Sequence, residues 1–212
     1  LLQIAPLVLE AGIPLSATIS VAFGDPFDGE VDIKLVGNLA AQAQRAGVSE
    51  LALGDTIGVA DPWDVRKRIE RVRMEAPDVY LRMHFHDTRG AALANVAAAI
   101  DCGVDVIDAS CGGIGGCPFA PAATGNVATE DVVYMLERGG FETGTGPEQV
   151  DRDIALAGKS VGAPDCVVTQ QGGRISHLTL LLRALHFSKG RRLHGPAEID
   201  FLAIAWRAAG GA

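Results

Sequence analysis

VYLRMHFHD, residues 79–87, is an apolar, β-prone run that ends in two histidines and an aspartate. Pro77 precedes it and stops whatever comes before, so 79–85 reads as a strand whose C-terminal end is polar. Downstream, Leu93, Val96, Ala97 and Ile100 recur at helical spacing, and the helix closes near Gly103. Residues 104–109 form the next strand, followed by a glycine-rich loop, and Thr129 is expected to cap one more helix. Upstream, Asp61-Pro62 supplies an N-cap and a first-turn proline for a helix with Val65, Ile69, Val72 and Ala76 on one face. Before that come a strand over 50–53 ending at Gly54-Asp55, and a helix built on Leu35, Leu39, Ala43 and Ala46 that Gly47 stops. A β-branched strand over 15–21 leads this series.

Strand starts near 15, 50, 79 and 104 repeat a βα unit, which forces a parallel sheet with crossover helices. An open doubly wound sheet and a (β/α)₈ barrel both satisfy that rhythm. Polar residues at successive strand ends (Asp55, then His84 and His86, then Ser110 and Cys111) resemble the C-terminal mouth of a barrel. The expected fold is therefore α/β, parallel units of a TIM barrel, with about four of the eight units present. A whole barrel takes ~250 residues. The chain opens on Leu1 and its first methionine is Met74, so a natural N-terminus is expected ahead of it.

The 212 residues are 48% hydrophobic and 21% charged, as expected of a chain with a buried core. Eighteen Lys+Arg against 26 Asp+Glu disfavour a nucleic-acid binder. No apolar run approaches the ~20 residues of a membrane helix, and no signal peptide is visible. Cys102, Cys111, Cys117 and Cys166 form no CxxC pair and read as reduced thiols of a cytoplasmic protein. Charge reverses along the chain. Residues 1–165 hold twelve Lys+Arg and twenty-four acids, residues 166–212 six and two. Helices are expected to begin near 178–182 and 199–206.

His84 and His86 alternate along a strand and so project to one face, about 7 Å apart by Cα. Two neutral imidazoles so placed can share a divalent cation, or they can be hydrogen-bonded structural residues. Residues 111–118, CGGIGGCP, let the backbone approach a ligand closely but lack any phosphate-loop spacing. Cys117 is a reactive thiol if its pKa is lowered, and otherwise an idle one. Asn126 reads first as a turn residue and Asp55 can likewise be a turn or cap, while Arg66, Lys67, Arg68, Arg71 and Arg73 read as the solvated face of a helix ahead of a role in holding an anionic cofactor.

SVAFGDPFDGEV (20–31), LGDTIGVADP (53–62), HFHDTRGAALAN (84–95) and GGIGGCPFAPAATGNVATEDVVYMLE (112–137) together resemble the 3-hydroxy-3-methylglutaryl-CoA lyase family of metal-dependent lyase and Claisen-condensing barrels. The loop GIGGCPF with an asparagine nine residues after its cysteine is the specific part; HxHD alone also fits isopropylmalate and homocitrate synthases. The resemblance implies Mg²⁺ or Mn²⁺ held by His84, His86 and Asn126. It implies catalytic roles for Cys117, His84 and Asp55, and a substrate loop with Gly113, Gly115 and Gly116. It further implies an acyl-CoA substrate, no nucleic-acid or membrane partner, and a homo-oligomer, expected to be a dimer. The same resemblance implies a division into 1–146, the C-terminal half of a barrel, and 147–212, a helical or irregular extension. The family's first-strand Arg-Asp pair and second-strand acidic residue have no counterpart here. That leaves two further expectations open, an inactive remnant and a condensing enzyme of the synthase type.

Overall fold

The computed structural model describes residues 1–115 and 125–143, and the backbone of 183–186. Helix α1 (Ala5–Glu10) precedes strand β1 (Ser16–Ile19), and a short hairpin follows, β2 (Gly24–Asp25) with β3 (Gly29–Glu30). Then α2 (Ile33–Arg45), β4 (Glu50–Asp55), α3 (Pro62–Glu75), β5 (Tyr80–Phe85), α4 (Ala92–Asp101), β6 (Val106–Ala109) and α5 (Thr129–Arg138) alternate along the chain. A final strand, β7, spans Arg183–His186.

The main sheet runs β1-β4-β5-β6-β7, and its first four strands are parallel. Each of these four lies beside the next one in sequence, with no reversal of order. A doubly wound sheet reverses at a switch point; a barrel wall does not. Helices α2, α3, α4 and α5 also touch in chain order, forming one layer. The barrel reading of the strand rhythm is the one the structure bears out, as a partial barrel. β7 adds antiparallel on β6, pairing Val106 with His186. The expected helices near 178–182 and 199–206 lie outside the described residues.

The local signals act as their chemistry dictates. Asp61 caps α3, accepting from the Trp63 and Asp64 amides at 2.9 and 2.8 Å, with Pro62 in the first turn. Asp32 caps α2 through the Lys34 amide at 2.9 Å. Val65, Ile69, Val72 and Ala76 are buried, as their spacing predicts. Two expectations need correction. In α2 the buried face is Val36, Ala40 and Ala43, while Leu35 is 42% exposed, because the small residues let the helix lie close on the sheet. Thr129 is the first residue of α5 rather than its cap; Ala128 takes the cap position, with no side-chain bond there.

Candidate active site

Alternation splits the central strands into two faces. Leu51, Leu53, Leu81, Met83, Phe85, Ile107 and Ala109 pack into the core with the helices. The other face carries Glu50 and Gly54 from β4, Arg82 and His84 from β5, and Asp108 from β6. Arg82, its side chain 3% exposed, spans both neighbouring strands: it lies 3.2 Å from Glu50 Oε1 and 3.5 Å from Asp108 Oδ1. Asp108 Oδ2 stands 3.7 Å from His84 Nδ1. Burial pushes the Asp108 carboxyl up to about 6 against the pull of Arg82. Burial, aided by Arg82, pushes His84 down to about 4, so its imidazole is neutral near pH 7.

His86 follows the strand end and forms an isolated bridge with Asn126. The rings of His84 and His86 are 5.1 Å apart by centroid, nearly edge to face. Asn126 is anchored by its own backbone amide donating to Gly113 O at 2.9 Å, and its Nδ2 donates to Ile114 O at 3.1 Å. The Val127 amide donates to Phe85 O and that of Asp87 to Gly125 O, both at 3.0 Å, which seats the 125–127 segment on the end of β5. Gly115, at φ +130°, leaves room for Nδ2: a Cβ there would stand 2.5 Å from it. The structure thus sets His86 beside both His84 and the Asn126 backbone, and Gly113 and Gly115 cradle the asparagine. Gly116 and Cys117 lie outside the described residues.

Asp55 is placed differently from the sequence expectation. The register sets Gly54 beside His84 and Asp55 beside Phe85, on the helix-facing side of the sheet. Its two oxygens accept from the Val59 and Ala60 amides at 2.8 and 3.1 Å, holding the turn into α3. Burial nevertheless pushes its carboxyl up to about 6, against those two bonds. Arg89 ties the same turn to the loop after β5, donating to Ile57 O and Gly58 O.

Two imidazoles and a primary amide make a donor set that fits a divalent cation. Among the described residues no cluster of three His, Cys, Asp or Glu side chains could hold a metal. Such nitrogen-rich, uncharged donors suit borderline metals better than Mg²⁺, which favours carboxylate oxygens. Sequence reasoning misses the Glu50, Arg82, Asp108 network. One signal for it exists: Arg82 has the same parity as His84 and His86.

Comparison with known proteins decides the lineage. Residues 13–154 match the model of the HMGL-like family. The chain belongs to that family. It is 44% identical over 155 residues to the hydroxymethylglutaryl-CoA lyase of Bacillus subtilis, covering 73% of this chain and 52% of that protein. It is 45% identical over 166 residues to a 3-hydroxy-3-isohexenylglutaryl-CoA/hydroxy-methylglutaryl-CoA lyase of Pseudomonas aeruginosa, covering 74% and 55%. The crystal structure of the Bacillus HMG-CoA lyase superimposes with a TM-score of 0.71 at 40% identity, over 77% of this chain and 55% of that one. An Acinetobacter baumannii HMG-CoA lyase solved with coenzyme A and 3-methylmalate gives 0.71 at 30%, over 84% and 59%. The HMGL-like chain thus spans about half the length of the curated relatives it matches. Among its described residues no helix is long and apolar enough to cross a membrane.

Proposed function

We propose that this chain carries the metal-binding rim of a carbon–carbon lyase that cleaves 3-hydroxy-3-methylglutaryl-CoA to acetyl-CoA and acetoacetate. The supporting observation is the meeting of His84, His86 and Asn126 at the C-terminal end of a sequentially ordered parallel sheet. Barrel enzymes place their chemistry at that end.

The reaction is a retro-Claisen cleavage. The tertiary hydroxyl loses its proton, the bond to the thioester-bearing carbon breaks, and the electron pair leaves as the enolate of acetyl-CoA. Mg²⁺ or Mn²⁺, when bound, would supply Lewis acidity that eases loss of the hydroxyl proton. His84, His86 and Asn126 are the residues that would hold it. A neutral His84 is suited to ligation, and its low pKa makes it a poor proton carrier near neutrality. The carboxyl of Asp55 is held in the turn before α3 and faces away from His84, so the proton of the hydroxyl passes to water or to a base beyond the described residues. Cys117, on the loop that contains Gly113, Gly115 and Gly116, would protonate the enolate while the loop keeps water out.

The reading includes an acyl-CoA substrate, a dimer and a cytoplasmic location. Incubating the protein with Mg²⁺ or Mn²⁺ and the CoA ester tests it. Acetoacetate and acetyl-CoA should appear in equal amounts, and Cys117→Ala should suppress both. Condensation of acetyl-CoA with a 2-oxo acid would instead place the chain with the synthases.

A further inference from the structure

We infer that Asp108 is a positioning residue for His84: it takes the Nδ1 side of the imidazole and leaves Nε2 as the nitrogen presented to a ligand. The argument starts from register. His84 on β5 and Asp108 on β6 are direct partners in the parallel ladder, so both side chains rise from the same face of the sheet. The contact is specific by atom. Asp108 Oδ1 faces Arg82 at 3.5 Å, and Oδ2 faces His84 Nδ1 at 3.7 Å. Arg82 in turn meets Glu50 on β4 at 3.2 Å. The four side chains cross three adjacent strands, and Asp108 is the only one of them that meets both Arg82 and His84.

This arrangement does something an ion pair alone does not. A buried carboxylate beside one ring nitrogen favours the tautomer that carries its proton there, and the opposite nitrogen then offers its lone pair in a fixed direction. Arg82 stops the carboxylate from turning away, because it holds one oxygen while the other remains with the histidine. Glu50 holds Arg82 from the far side, so the whole row is braced. Asp108 does not itself ligate; it acts through His84. The inference rests on the reading of His84 as a ligand, and its central observable does not require a metal.

The test is the tautomer of His84 in the full chain labelled with ¹⁵N-histidine, followed by long-range ¹H–¹⁵N correlation, with His84→Gln used only to assign the signal. The unaltered protein should show His84 protonated at Nδ1. Asp108→Ala should move the signal toward the Nε2-protonated form and weaken Zn²⁺ binding, read by calorimetry, by about 10- to 100-fold. Asp108→Asn keeps an acceptor oxygen and should restore the Nδ1 tautomer, which a merely structural role would not predict. If Asp108→Ala does not fold, the tautomer of the unaltered protein decides. Nε2 protonation there, or unchanged tautomer and affinity in a folded Asp108→Ala, overturns the inference. An Asp108-dependent Nδ1 tautomer in a chain that binds no Zn²⁺ supports the positioning role and removes the ligand reading alone.

Discussion

Gly115 lies so close to Asn126 that a Cβ built on it would stand 2.5 Å from the amide nitrogen, and that nitrogen donates to Ile114 O. Gly115→Ala therefore forces the asparagine away from its anchor. We expect Zn²⁺ affinity, measured by calorimetry, to fall about tenfold or more, in line with other supporting contacts around metal ligands. Gly90 is the control. It too has a positive φ, of 69°, but nothing lies within 4 Å of its added Cβ. Gly90→Ala should lose about 1–2 kcal/mol of stability from backbone strain and leave the affinity unchanged.

The donor set predicts an order of metals. Two imidazole nitrogens and an amide oxygen carry no charge, so Zn²⁺ and Ni²⁺ should bind more tightly than Mg²⁺, whose weak binding the lyase assay meets with excess metal. Titration of the chain and of His86→Ala measures this. Tight, stoichiometric Mg²⁺ binding would mean that a carboxylate has joined the site.

Arg82 is buried between two carboxylates, and its removal strands them both. Arg82→Met should destabilise the fold by about 3–5 kcal/mol in urea titrations. Replacing Glu50, Arg82 and Asp108 together by Leu, Met and Leu should recover most of that loss, since no buried charge is then left alone.

Asp55 makes stability depend on pH with a definite sign. Its ordinary value is 3.8, and in the folded chain it rises to about 6. Between those values the unfolded chain gives up the proton first, so stability falls as pH rises through the window. The fall should total about 3 kcal/mol. Asp55→Asn, which cannot ionise, should remove its share of that slope from the thermal-melting profile and leave the share due to Asp108, whose carboxyl is also raised to about 6.

At the other end of the sheet from β7, β1 is paired only with β4 among the described residues, which leaves one of its edges open. Open edges recruit other chains. Light scattering should report self-association, and Thr18→Pro, by removing an edge amide, should reduce it.

Much of this architecture is legible in the amino-acid sequence. Periodicity locates all four parallel strands and their helices, because alternating strand and helix signals are local and Asp61-Pro62 and Gly47 punctuate them. The pairing of His84 with His86 is legible for the same reason, as strand parity is written in the sequence. Asp55 misleads, since being last on a strand says nothing about which face a side chain takes; only the register beside Phe85 settles that. The α2 face misleads as well: leucines mark burial on average, yet alanines permit the closer approach. Glu50, Arg82 and Asp108 come from three strands, and their meeting depends on register that no single segment specifies.

The one-after-another order of strands also governs how the chain can fold. Ser16 pairs with Glu50, Glu50 with Tyr80, and Arg82 with Val106, so each pairing closes only one helix-containing loop. Such contacts close short loops and favour growth by one unit at a time. All three proposed cation donors fall within residues 84–126, a single run of chain. The rim can therefore assemble as β6 docks on β5 and the Val127 amide reaches Phe85 O, without waiting for β1. Pairing of β7 with β6 spans a far longer loop and should form last.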